Sequence, residues 1–159
     1  MSKKLLRLLE DDCTLSTEQM AALVKMTPEE VRAAIAHYEE NQTIIGYQAL
    51  VNWEKANGEY ITALIEVNLT PQRGVGFDAV AERIYQYDEV ESCYLMSGAY
   101  DMIVIISGRT LKEVSLFVSE KLAIIDEVTG TATHFILKKY KEKHLIFKEP
   151  EEQERGYFI

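Results

Sequence analysis

Apolar positions recur at helical spacing in the first third of the chain and at strand spacing afterwards. Leu5, Leu6, Leu8 and Leu9 crowd one side of a short segment that closes on Glu10-Asp11-Asp12. Met20, Leu23 and Val24 make an i, i+3, i+4 face, and Val31, Ile35 and Tyr38 make another. The polar residues between these stripes are helix starts. Ser16-Thr17-Glu18-Gln19 has the capping-box arrangement, with a hydroxyl for the third backbone N–H and a glutamine reaching back. Thr27-Pro28-Glu29-Glu30 adds a proline where a missing N–H costs nothing and two carboxylates at the positive end of the helix dipole. Only Lys25 and Met26 separate the second and third helices, which predicts a sharp turn and a helix-turn-helix.

From Ile44 to Val51 the chain turns β-branched and apolar, predicting an extended segment, and Asn57-Gly58 is a turn signal. Ile61–Val67 reads as a strand, Phe77–Tyr87 as an amphipathic helix, and Ser92–Ser97 as a strand after Asp88-Glu89-Val90. The order then repeats: strand Met102–Ser107, a helix capped at Thr110-Leu111-Lys112-Glu113 and ending in Asp126-Glu127-Val128, then strand Thr131–Leu137. The two Asp-Glu-Val triplets lie 38 residues apart. Two strand–helix–strand halves in tandem predict a β-α-β-β-α-β, ferredoxin-like domain behind the helical one, an α+β chain. The expected divisions are a helix-turn-helix domain at 1–47, a linker strand and turn at 48–58, the ferredoxin-like domain at 59–141, and a final strand with an acidic tail at 142–159. Leu145-Ile146-Phe147 supplies that strand, Glu149–Glu154 the solvated tail, and Tyr157-Phe158-Ile159 an apolar end suited to docking on the body or a neighbour.

The chain has 159 residues, 47% hydrophobic and 27% charged, enough for one domain or two small ones with a buried core. Eight Gly and three Pro exclude collagen-like or low-complexity chains. No apolar run is long enough to span a bilayer, and Met1-Ser2-Lys3-Lys4-Leu5-Leu6-Arg7 breaks into charge too soon for a secretory leader. Cys13 and Cys93 stand apart without metal-ligand spacing and are expected to be reduced thiols of a cytoplasmic protein. The net charge of −9 repels phosphate backbones, and even residues 1–48 hold five cations against eight carboxylates, a balance of −3.

Catalytic readings find little support. His37, His134 and His144 lack partners at metal-ligand spacing, so no metal or cofactor is expected. Cys13 follows an acidic pair, which raises rather than lowers a thiol pKa. Arg73-Gly74-Val75-Gly76 lacks the Lys-Ser/Thr of a phosphate-binding loop and reads as a connection. Tyr85, Tyr87, Tyr94 and Tyr100 alternate with apolar positions and suit a core or interface.

Glu18-Gln19-Met20-Ala21-Ala22-Leu23, Met26-Thr27-Pro28-Glu29-Glu30-Val31 and Ile44-Ile45-Gly46-Tyr47 in the helical part resemble one known family. So do Ser97-Gly98-Ala99-Tyr100-Asp101 and Val128-Thr129-Gly130-Thr131-Ala132-Thr133, with the Gly-x-Tyr-Asp element the most specific. The family is the leucine- and asparagine-responsive regulators, Lrp/AsnC or feast/famine proteins, and the resemblance covers nearly the whole chain. It implies a DNA-binding head, a ferredoxin-like effector domain, dimers formed through the sheets and often octamers, and amino acids or related metabolites bound between subunits. The chain departs from that pattern at Ala34, where an arginine is common, and in its acidic head. Distant decarboxylases of similar architecture carry a basic signature where this chain has Ile44-Ile45-Gly46.

In a helix-turn-helix the second helix of the motif enters the major groove, which makes Thr27, Arg32 and His37, with Lys25 in the turn, the candidate contacts to double-stranded operator DNA. The opposing reading pairs Arg32 with Glu29 or a neighbour and leaves His37 merely exposed. For the effector, Gly98 permits a close backbone approach or a positive φ, Asp101 can accept from an ammonium, and Thr131 and Thr133 share a strand face. Ser97 and Tyr100 complete the candidate pocket through the resemblance. The same corner also suits a plain hairpin with Asp101 bonding its own backbone. The function expected is an amino-acid-responsive transcriptional regulator without enzymatic chemistry; the rival is a metabolite sensor whose head has lost DNA affinity and which acts in mixed oligomers.

Overall fold

Helix starts fall where the capping residues put them. α1 (Lys3–Asp11) begins at Ser2, whose hydroxyl accepts from the Leu5 N–H. α2 (Thr17–Val24) and α3 (Pro28–Glu40) each open with a complete capping box, Ser16 with Gln19 and Thr27 with Glu30. Between them Lys25 takes the left-handed conformation (φ 58°, ψ 48°), and the Met26 N–H reaches the Ala21 carbonyl at 3.0 Å. That six-to-one bond is the Schellman closure, made here without glycine. Leu5, Leu9, Met20, Ala21, Val31 and Tyr38 form the core of this unit. Tyr38 also accepts the Ser2 N–H on its phenolic oxygen at 2.9 Å, tying the end of α3 to the start of α1. The expected face of α2 needs one correction: Leu23 is 63% exposed, and Ala21 turns inward beside Met20. A helix of two turns buries only a narrow edge, and Met20 and Ala21 occupy it.

This computed structural model describes residues 2–56, 58, 60–70 and 76–147, and the chain divides into two units between Val51 and Asn52. Asn57 of the expected turn, Arg73-Gly74-Val75 of the expected loop, and the acidic tail with Tyr157-Phe158-Ile159 lie outside the described residues. Residues 44–51, expected to be extended, join no strand ladder among the described residues, and Ile45 is 95% exposed. A lone apolar strand needs a neighbouring edge to pair with.

In the second unit β1 (Ile61–Leu69), α4 (Phe77–Tyr85), β2 (Val90–Leu95), β3 (Met102–Gly108), α5 (Leu111–Phe117), a π-helical turn (Val118–Leu122) and β4 (Val128–Phe135) follow in order. The strands form one antiparallel sheet in the order β2-β3-β1-β4, the arrangement expected of the tandem halves. A two-stranded hairpin, β5 (Lys141–Glu142) with β6 (Leu145–Ile146), follows. Alternation decides the faces. Ala63, Ile65 and Val67 on β1 and Met102, Val104 and Ile106 on β3 pack with Val80 and Ile84 of α4 and with Val114, Phe117 and Leu122. Leu64 and Glu66, opposite Ile105 and Ile103, point to the other face.

The internal repeat also carries electrostatics. Glu89 of the first triplet bonds Lys121 of the π turn at 2.5 Å, and Glu127 of the second bonds Arg83 of α4 at 2.5 Å. The same 38-residue interval separates the two glutamates and the two cations, so each half's glutamate takes its cation from the other half's helix. Both carboxyls titrate below the ordinary glutamate range, chiefly through the hydrogen bond from that cation.

Candidate functional site

On the helical unit the four candidate DNA contacts are exposed, and the side chains of Thr27, Arg32 and His37 are already engaged. Lys25 sits in the turn with its backbone N–H on Ala21. The Thr27 hydroxyl accepts from the Glu30 N–H at 3.2 Å while Glu30 returns a carboxylate oxygen to the Thr27 N–H at 2.7 Å. Arg32 extends one guanidinium nitrogen to Glu18 at 3.3 Å and the other to Glu29 at 3.4 Å. The His37 ring nitrogen lies 3.1 Å from the Asn41 amide nitrogen. Glu29 is legible from the sequence, three residues before Arg32 on one helix; Glu18, fourteen residues back, becomes a neighbour only when α2 packs on α3. The Glu18 carboxyl titrates low, held first by backbone and Ser16 hydrogen bonds and last by Arg32.

The second candidate site is the corner between β2 and β3. The Met96 N–H donates to the Asp101 carbonyl at 2.8 Å, and the Asp101 N–H donates to the Val67 carbonyl at 3.1 Å. The Asp101 carboxylate does not bond its own loop. Its Oδ2 accepts the Leu69 N–H at 2.7 Å, where the β1–β4 register shifts between Asn68 and Leu69. The hairpin of the alternative reading is present, with Leu95 paired to Met102, but its bonding of Asp101 is corrected: the side chain fastens the corner to the end of the central strand, because the register shift frees that N–H from the ladder.

Thr131 stands opposite Val67 and Thr133 opposite Ile65, so both are half-buried on the helix-facing side of β4. Asp101 and Thr131 thus meet through one residue, Val67, while Thr133 lies one pair further in. Ser97 and Gly98 are exposed and Tyr100 is half-buried. Of the two reasons offered for Gly98, the positive φ is not met. Its φ lies outside the left-handed range, and a Cβ built there meets nothing within 4 Å. The corner is a bend open to solvent, and nothing within the protomer crowds Gly98.

Among the described residues no three His, Cys, Asp or Glu side chains are placed to hold a metal ion, and no helix is long and apolar enough to cross a membrane.

Residues 62–146 match the family model described as the Lrp/AsnC ligand binding domain. An uncharacterized HTH-type transcriptional regulator of Bacillus subtilis, YugG, is 44% identical over 96% of this chain and 92% of its own. Among solved structures, a transcriptional regulator of Neisseria meningitidis in complex with L-Met has a TM-score of 0.71 at 22% identity, covering 89% of this chain and 93% of its own. AsnC of E. coli has a TM-score of 0.67 at 17% identity, covering 87% and 91%.

Proposed function

The chain belongs to the Lrp/AsnC family of transcriptional regulators, and from that premise we propose that its helical unit binds operator DNA while its sheet unit senses an amino acid or related metabolite between subunits. The observation that carries the sensing half is the fixed carboxylate of Asp101. One oxygen is held by the Leu69 N–H, which leaves the other to accept a ligand ammonium beside the open surface at Gly98. Backbone N–H groups at that corner receive the ligand carboxylate, and Thr131 lines the approach. A relative of the same fold is solved with L-Met, which makes neutral amino acids the first class to test.

The open sheet face, carrying Leu64, Ile105 and the exposed Tyr94, takes a second copy in a homodimer, and higher assemblies, octamers included, build on that. The site of action is the cytoplasm. The mechanism is linkage: a ligand held between subunits favours one arrangement of heads over another, by no more than its differential affinity for the two.

The DNA half rests on α3 and its exposed N-terminal turn. Arg32 must leave Glu18 and Glu29 to reach a base or phosphate. Exposed pairs of this kind are worth about 0–1 kcal/mol, a small cost beside several phosphate contacts. A second reading is favoured by the same pairs and by the −3 balance of residues 1–48: the head binds DNA weakly and acts in mixed oligomers with a more basic partner.

The separating experiment is selection of genomic fragments by the purified protein, followed by anisotropy titrations of the enriched fragments across salt concentrations. The first reading expects enriched fragments whose affinity falls steeply with salt and changes with an amino acid. Absence of enrichment favours the second, and an affinity indifferent to salt overturns the phosphate-contact account.

A further inference from the structure

At the far end of β3 from the Gly98–Asp101 corner, the helix side of the sheet holds a cavity of about 240 Å³. The last three residues of the seven-residue strand, Ile106, Ser107 and Gly108, line it, so it lies roughly 15 Å or more along β3 from Asp101. The cavity floor is apolar, made by Ile106, Val114, Leu116 and Phe117. Its rim carries both signs of charge. Lys121 Nζ lies 4.8 Å from the centroid of the Tyr87 ring and 5.6 Å from that of Phe117, and donates to Glu89. The two rings and one carboxylate fix this ammonium in place and use only one of its three N–H donors. Glu113 is spent on the Arg109 N–H at 2.7 Å. Glu120 has no hydrogen-bond or ion-pair partner among the described residues.

Glu120 and Lys121 are adjacent in sequence and yet both line this one cavity. They lie in the π-helical turn Val118–Leu122, whose wider winding brings neighbouring side chains closer in direction than an α-helix does. Single π turns of this sort recur where helices are adapted to bind something.

A fixed ammonium, an unpartnered carboxylate and an apolar floor match a zwitterion with an apolar side chain. We propose that this cavity is a second small-molecule site, which binds a neutral apolar α-amino acid within a single protomer. The ligand carboxylate takes the free donors of Lys121, its ammonium bonds Glu120, and its side chain lies on Val114, Leu116 and Phe117. The site does not rest on the subunit-interface reading, because every residue it uses comes from one chain.

The test uses full-length protein carrying Asp101→Asn, so that the corner contributes no ammonium acceptor. Alanine, valine, leucine, isoleucine, methionine and phenylalanine are titrated by calorimetry, and hydrogen–deuterium exchange locates any protection. At least one of them is expected to bind and to protect the peptide spanning residues 106–122. Adding Glu120→Gln, an exposed and conservative change, weakens that binding by roughly tenfold or more, as loss of a charge-assisted bond does. Lys121→Met does the same. The deaminated analogue of the best ligand, tested as its carboxylate alone, binds far more weakly. The proposal is overturned if none of the six binds, if protection falls outside residues 106–122, if the deaminated analogue binds as well, or if Glu120→Gln leaves affinity unchanged.

Discussion

Asp101 carries two burdens that two substitutions separate. Its Oδ2 accepts the Leu69 N–H at 2.7 Å, and its other oxygen is the proposed acceptor for a ligand ammonium. Asp101→Ala removes both. A hydrogen bond to a charged group is worth about 1.5–3 kcal/mol, and the half-buried setting places this one at the lower end, about 1.5 kcal/mol. For a sheet unit of about a hundred residues that loss lowers Tm by roughly 8 °C. Asp101→Asn keeps a carbonyl oxygen for Leu69 and loses only the charge. Its cost is about 0.5 kcal/mol, roughly 3 °C. Toward ligand the two variants behave alike, because a neutral amide cannot replace the carboxylate opposite an ammonium: affinity at the corner falls about tenfold or more in both. Thermal melts monitored by circular dichroism read the first effect, and calorimetric titration with L-methionine, in a Glu120→Gln background that silences the second cavity, reads the other. Equal melting temperatures for the two variants would refute the structural role of the Leu69 bond. Unchanged affinity in Asp101→Asn would refute the ligand role.

Three further outcomes are expected. Glu18→Ala with Glu29→Ala frees Arg32 from both carboxylates and tightens DNA binding several-fold in low-salt anisotropy titrations, whereas Arg32→Ala weakens it; tightening absent in the double variant would place Arg32 off the DNA. Lys25→Gly relieves a left-handed residue with a side chain and raises the stability of the helical unit by about 0.5–1 kcal/mol, read in urea melts, while reducing DNA affinity. The carboxyls of Glu89 and Glu127 titrate lower in the folded chain than unfolded, so their contribution is complete above pH 4.5, the ordinary glutamate value, and is lost as pH falls below it. Replacing Arg83 and Lys121 by Met flattens that acid limb; an unchanged limb would assign it to other groups.

What the sequence revealed and what it withheld divide along a physical line. Local signals were reliable because their partners are near in the chain. Ser16 with Gln19 and Thr27 with Glu30 specify two capping boxes from four consecutive residues each, and both are present. Alternation from Ile61 onward marked the strands, though Val90 and Val128 start theirs earlier than the pattern suggested, because each follows directly on its own Asp-Glu pair. Leu23 misled because helical periodicity fixes a stripe but not which edge of it a two-turn helix buries. The long-range partners were invisible. Nothing local tells Asp101 to seek Leu69, thirty-two positions back, or Arg32 to seek Glu18. The 38-residue repeat came nearest to foresight: it located Glu89 and Glu127 as equivalent, and only the fold adds that each borrows its cation from the opposite half.

That exchange bears on how a signal crosses the sheet unit. Glu89 stands just before β2 and Lys121 in the π turn; Glu127 stands just before β4 and Arg83 on α4. The two strands so tied are the outer ones of the order β2-β3-β1-β4. Each edge of the sheet is therefore fastened through a helix that belongs to the half containing the other edge strand, and neither half can shift over the core without stretching both pairs. A ligand in the cavity beside Lys121 acts on one of these two fastenings directly, since its carboxylate shares with Glu89 the charge of the same ammonium. Loosening that pair acts on the edge that leads from β2 into Met96 and the Asp101 corner. If the cavity and the corner are coupled, linkage requires the effect to run equally both ways. Filling the corner must then change affinity at the cavity by the same factor by which filling the cavity changes affinity at the corner, and a factor of one in calorimetric titrations of each site with the other filled would show that the two sites bind independently.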